Sequence, residues 1–286
     1  MGCFLESASG SLGSLLKGSN MKYFTFFIAI TLTVMFSACG GGSSSADKPI
    51  AKTATITTVA QAQSALYATQ ALMSDGGAMN VFNSLTGVSS ASQLRQAITC
   101  GNGGSMDLNT ISQSNYSIVF SHCSNEPGVY IDGGFSIVTN SNGTSGKFTM
   151  HNLEMINPQG TYLFDLSINY ATTSSAEINL KMNGTGRIDE NGRSASFFYD
   201  NFQMISGSNG VFLNGTVGVD YTPDLCSEGT YTIKTISPLY GSPTITSGEI
   251  EINGANFVYN PDGTVTITVN GTSEKVNQNA LESTCI

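Results

Sequence analysis

A chain of 286 residues with a net charge of −9 and charged side chains at only 11% is not built to grip phosphate backbones. Its sign repels them, and no Lys/Arg cluster offsets it. Its polarity comes from Asn, Ser, Thr and 32 Gly, a mix that suits exported β proteins, in which Thr tolerates strands and Asn and Gly build turns; it is not the high-charge, aromatic-poor signature of disorder.

Residues 1–20 are Ser/Gly-rich and show neither helical nor strand periodicity. They begin Met-Gly-Cys, but Glu6 stands where a myristoylation signal wants Ser or Thr. An upstream start ahead of a true initiator, Met21, is the expected reading, and this stretch is set aside from the fold. Lys22 then forms a short positive region before an apolar run, Tyr23 to Phe36, of 14 residues. Such a run falls short of the roughly 20 residues that span a bilayer as a helix and suits a signal peptide.

Ser37-Ala38-Cys39 follows, and with Phe36 it resembles the lipobox of bacterial lipoproteins, usually Leu-Ala-Gly/Ala-Cys, with Phe in the first position. The resemblance implies cleavage before Cys39, which becomes the diacylated and N-acylated first residue of the mature chain. Several acyl chains anchor stably where one is marginal, so the membrane is the first partner expected. The competing reading is an ordinary secretory signal with a coincidental cysteine. Gly40 to Ser45 matches the Gly/Ser tether of such proteins, and Gly40 rather than Asp after the cysteine resembles outer-membrane sorting in enteric bacteria. Setting aside Lys17, Lys22 and Glu6, which precede Cys39, takes the net charge to −10. The expected layout is therefore 1–20 upstream, 21–38 signal peptide, 39–57 lipid-anchored linker, 58–99 helical segment and 100–286 antiparallel β domain.

Within the linker, Ala54-Thr55-Ile56 reads as extended. Thr58-Val59-Ala60-Gln61 has the pattern of a capping box, and Val59, Ala62, Leu66 and Met73 then fall on one helical stripe until Asp75-Gly76-Gly77 stops it. A second helix is expected around Met79 to Leu85, and a third from Ser90 to about Thr99. These stripes suit the cover of a sheet face better than a cofactor site.

From about residue 106 the period becomes 2. In Tyr162–Tyr170 the even positions are apolar or aromatic and the odd ones mostly polar. Ile178, Leu180 and Met182, then Val211, Leu213, Val217 and Val219, then Val265, Ile267 and Val269, alternate with polar residues in the same way. One buried and one wet face is how antiparallel sheets read. Asn142-Gly143, Asn191-Gly192, Asn209-Gly210 and Pro261-Asp262-Gly263 signal tight turns. Asn183-Gly184, Asn214-Gly215, Asn253-Gly254 and Asn270-Gly271 each follow an apolar residue and read as one recurring device, a bulge or turn at a strand's end. Their uneven spacing excludes a solenoid, and turn chemistry accounts for their Asn-x-Ser/Thr matches.

Ten to twelve strands are expected over 106–271. The predicted fold is mainly β: a curved antiparallel meander or barrel-like sheet with a short N-terminal helical section over one opening or face. A two-sheet β-sandwich is the alternative, and a membrane-spanning barrel fits less well beside an acyl anchor.

Setting aside Cys3 and Cys39 leaves Cys100, Cys123, Cys226 and Cys285, an even count in an exported chain. Three pairings are open; Cys100–Cys123 and Cys226–Cys285 close the smaller loops. Metal binding through His122 beside Cys123 is weaker, since no Cys-x-x-Cys is present and a metal needs three or four converging ligands. No metal or cofactor is expected.

Catalytic signals are few. There is no Gly-x-Ser-x-Gly and no His-Glu-x-x-His, so a Ser-His-Asp arrangement could only use His122 or His151. His151 sits where the alternation slips by one, as at a bulge. Asp189 and Glu190 read as solvated at a hairpin tip, and Asp132-Gly133-Gly134 as turn geometry rather than a calcium loop. Asp200 shares a period-2 face with Phe198 and Phe202 and would be an inward charge if that face were buried. With no Trp for sugar stacking, tyrosines such as Tyr130, Tyr199, Tyr221, Tyr231 and Tyr259 could substitute, though alternation puts several of them inside. Three functions follow: a non-enzymatic envelope lipoprotein that binds or supports another envelope component; a carrier of a lipid or other hydrophobic ligand in a cavity lined by residues such as Phe164, Phe198, Phe202 and Leu213; and an unrecognised hydrolase.

Overall fold

The computed structural model describes residues 52–73, 95–112, 114–173, 177–190, 192–222, 228–241 and 244–281. Its strands are β1 (Arg95–Thr99), β2 (Ser105–Ser112), β3 (Asn115–Glu126), β4 (Val129–Thr139), β5 (Ser145–Asn157), β6 (Gly160–Thr172), β7 (Ile178–Glu190), β8 (Arg193–Gly207), β9 (Gly210–Thr222), β10 (Gly229–Tyr240), β11 (Ser247–Ile252), β12 (Ala255–Tyr259), β13 (Thr264–Val269) and β14 (Thr272–Asn277). All lie in one sheet in chain order, an antiparallel meander of 14 strands. The sheet is not closed by pairing of β1 with β14, and it is not split into a sandwich.

Twelve of these strands, β2 to β13, fall in the span for which ten to twelve were expected, and β1 and β14 add one beyond each end. Arg95–Thr99, expected as the end of a helix, is β1 and pairs residue for residue with Ser105–Asn109. The capping-box spelling at Ser90–Gln93 lies outside the described residues.

Where the sequence called for a helix at Thr58, it forms. Helix α1 (Val59–Met73) opens with Thr58 Oγ1 accepting from the Gln61 N–H at 3.3 Å and Gln61 Oε1 accepting from the Thr58 N–H at 3.2 Å, a reciprocal cap. Ala62, Leu66 and Ala68 are fully buried, and the helix packs chiefly on β13, with further contacts to β11 and β14. Just before it, Ala54 N–H donates to Thr230 O and Thr230 N–H to Lys52 O, both at 3.1 Å. This short segment runs parallel to β10, on ladder positions that β11, whose pairing reaches only Ile233, leaves open.

The alternation predicted for the strands holds. Phe164, Leu166 and Ile168 of β6, Val217 and Val219 of β9, and Val265 and Ile267 of β13 are buried in one apolar cluster with α1. Burying a side chain of this size stabilises by about 1.5–3 kcal/mol, so this face organises the molecule.

A row of irregularities crosses the sheet midway along its long strands. Register shifts fall at Phe120/Cys123, Asp132/Gly134, Met150/Leu153, Met182/Gly184 and Asp200/Gln203. His122, Asn152 and Asn201 have φ of 47°, 43° and 50°, the left-handed region that costs most residues energy. Bulges bend a strand and strengthen its twist, so a row of them creases the sheet along one line. Gly133 (φ 83°) and Gly215 (φ 122°) lie against the carbonyls of Asn152 and Asn201, where any Cβ would collide.

The recurring Asx-Gly pattern resolves into two devices. Asn253-Gly254 (φ 48° and 84°) and Asn270-Gly271 (φ 48° and 80°) are two-residue hairpin turns with both φ positive, as expected of Asn-Gly. Asn183-Gly184 and Asn214-Gly215 instead lie within β7 and β9. Their side chains cap bulges next door: Asn183 Oδ1 accepts from Asn201 N–H at 2.8 Å, and Asn214 Oδ1 from Thr235 N–H at 3.2 Å. Asp132-Gly133, read as a turn, belongs to the same device inside β4, where Asp132 Oδ1 accepts from His122 N–H at 2.6 Å.

Candidate functional site

Two regions carry side chains that chemistry could use. The first is the outer face at the end of β3 and start of β4. Cys100, directly after β1, forms a disulfide with Cys123 of β3, their Cα atoms 5.4 Å apart, as the smaller-loop pairing predicted. The turn between β1 and β2 is stitched to β3 by Asn102 N–H to Ser124 O at 2.7 Å and Ser124 N–H to Gly103 O at 2.9 Å. Cys226 and Cys285 lie outside the described residues, as does Cys39.

This pinned corner presents His122 outward. Its ring stacks on Tyr130 with centroids 4.4 Å apart and 22° between planes, and Nδ1 lies 3.2 Å from Asp132 Oδ2. Asp132 therefore holds both the backbone and the ring of His122. An imidazole with a carboxylate on Nδ1 and a hydroxyl on Nε2 forms a hydrolytic relay; Asp132 matches the first, but among the described residues no hydroxyl is bonded to this ring, and the His122 side chain is 67% exposed. His151 is also exposed, on β5 beyond β4, opposite Gly134; the bulge expected there is present. The two histidines do not converge. Among the described residues no group of three or more His, Cys, Asp or Glu side chains could hold a metal ion.

The remaining carboxylates differ from expectation. Asp200 lies on the wet face with Phe198, but the bulge at Asn201 inserts one residue and returns Phe202 to the core. It is exposed and not an inward charge. For the same reason Phe198 does not line the interior with Phe164, Phe202 and Leu213; its ring covers Gly218 on the outer face. Asp189, expected to be solvated, is 2% exposed and paired with Arg187, Nε to Oδ2 2.8 Å. It lies within β7, opposite Thr161 of β6 and Ser194 of β8.

The second region is the inner face towards β1. There Met106, Leu108, Tyr116, Phe120, Ile131 and Met155 on β2 to β5 are only partly buried against the core, as are Tyr162 and Tyr170 on β6. Tyr116 and Tyr170 sit here with phenol pKa values raised, in Tyr116 by burial and then by Tyr170, in Tyr170 by burial. Near α1 the phenols are deeper: Tyr221 is pushed up to about 12 by burial, with Tyr67 and Glu228 adding to it. Burial likewise raises Tyr231 and Tyr259. These hydroxyls stay neutral and serve as hydrogen-bonding groups within an apolar wall.

Sequence reasoning missed Asp132 and Tyr130 as partners of His122, and Arg187 as the partner of Asp189. A signal for the first existed: Ile131-Asp132-Gly133 repeats the apolar-Asx-Gly spelling of the other mid-strand caps. Comparison with family models, curated proteins and solved structures finds no match for this chain.

Proposed function

We propose that the protein is a lipid-anchored envelope lipoprotein, attached through acyl chains on Cys39, whose β domain binds or supports another envelope component without catalysis. The observation that carries this reading is the run Lys22 to Cys39, with its short apolar stretch and lipobox-like end. Gly40 to Ser45 agrees with a tether, and Lys52, thirteen positions after Cys39, accepts from the Thr230 N–H of β10. An outer-membrane location rests on Gly40. A Cys39→Ser variant tests the anchor. It is expected to move from the detergent-extracted membrane fraction to the soluble fraction, whereas unchanged membrane retention would remove this reading.

A second reading, carriage of a hydrophobic ligand, is favoured by the partly buried apolar row from Met106 to Met155 on the inner face. Native mass spectrometry of protein taken from its host separates the two: a stoichiometric lipid-sized adduct supports carriage, and a bare domain or a protein partner supports the first reading.

A further inference from the structure

The pairing of Lys52–Ala54 with β10 fixes the direction in which the chain enters the domain, and with it the end of the sheet nearest the anchor. The long strands define two ends. One carries the turn between β1 and β2, the disulfide, Gln159 between β5 and β6, and the start of β10. The other carries Ser141 between β4 and β5 and the turn between β12 and β13. β10 runs from the first end to the second, and Lys52–Ala54 runs parallel to it beside Thr230. The chain direction at Lys52–Ala54 therefore points from the disulfide end towards the other.

We propose that the disulfide end of the sheet faces the lipid surface and that the opposite end, with Ser141 and Pro261-Asp262-Gly263, is presented away from it. This rests on acylation at Cys39. Lys52 lies thirteen positions after Cys39, a stretch that spans at most about 45 Å when fully extended. β5, with 13 residues, is itself about 43 Å long. To turn the far end towards the lipid, the tether would have to double back beside the domain. It would use on the order of 30 Å, about two thirds of its greatest reach, before gaining any distance to the surface. With the disulfide end inward, the whole reach is available and the chain need not reverse.

The chain contains no Trp, so one introduced Trp is a clean fluorescence donor. Gln159 and Ser141 are both exposed and flank the two ends of β5. Full-length acylated Gln159→Trp and Ser141→Trp proteins, each reconstituted in phosphatidylcholine vesicles carrying a dansyl-headgroup lipid, give the test. Energy transfer is expected to be severalfold greater from position 159. Equal transfer, or greater transfer from position 141, would overturn the orientation while leaving the anchor intact. If neither protein co-sediments with the vesicles, the anchor has failed and the orientation falls with it.

Discussion

Asp189 shows how one residue's fate depends on neighbours that its own sequence does not name. Its spelling, Asp189-Glu190-Asn191-Gly192, looks like a wet hairpin tip, yet Arg187 holds it in a nearly dry position. Removing one partner of a buried pair leaves a charge uncompensated, typically at a cost of 3–5 kcal/mol. Arg187→Met is therefore expected to lower the unfolding free energy in urea by about that much, and the double variant Arg187→Met/Asp189→Leu by less. Asp262 is the exposed counterpart. Its hydrogen bonds from Lys275 (2.6 Å) and Thr264 hold its carboxyl down to about 2. Because the folded value lies below the unfolded one, this pair's support is present above about pH 4 and is lost as the pH falls towards 2. An NMR titration should place the Asp262 midpoint near 2, and Lys275→Ala should raise it. Tyr221 works in the opposite sense: its folded pKa is raised to about 12, so its support is full below about pH 10 and fades between there and 12. Absorbance of tyrosinate should show a phenol class that ionises only at the top of that range.

At the scale of elements, the mid-strand caps are the distinctive device. Asn183→Ala removes the acceptor for the exposed Asn201 N–H and is expected to cost about 0.5–1.5 kcal/mol, read as a lower urea midpoint with an unchanged slope. Asn270→Ala, at a hairpin turn that needs positive φ, should cost about 1–2 kcal/mol through backbone strain alone. The two kinds of Asn-Gly share a spelling because both exploit Asx side chains and glycine backbones. What separates them is whether the flanking strands continue, which depends on partners several strands away. This limited what could be read in advance. Period 2 named the inner face correctly from Tyr162 to Tyr170 and from Val265 to Val269, and the capping box named the start of α1. Period 2 failed at Asp200 and Phe202, where one inserted residue reverses the face, and local helix signals lost to sheet pairing at β1.

At the scale of the molecule, the 14 strands among the described residues run in chain order and leave two edges, β1 and β14. The β14 edge is short and bears Glu274 and Lys275, the kind of charged, brief edge that discourages addition of further strands. The disulfide secures β1 and the β1–β2 turn near the other edge. Its removal in Cys100→Ser/Cys123→Ser is expected to cost on the order of 2–4 kcal/mol, visible as a lower urea midpoint. The central claim, that this β domain is held to a membrane through Cys39, is met most directly by the intact mass of the amino-terminal peptide of mature protein taken from its host. The account predicts a peptide beginning at Cys39, heavier than its sequence by a diacylglyceryl group and an amide-linked fatty acid. A mature chain that begins elsewhere, or an unmodified Cys39, would contradict it.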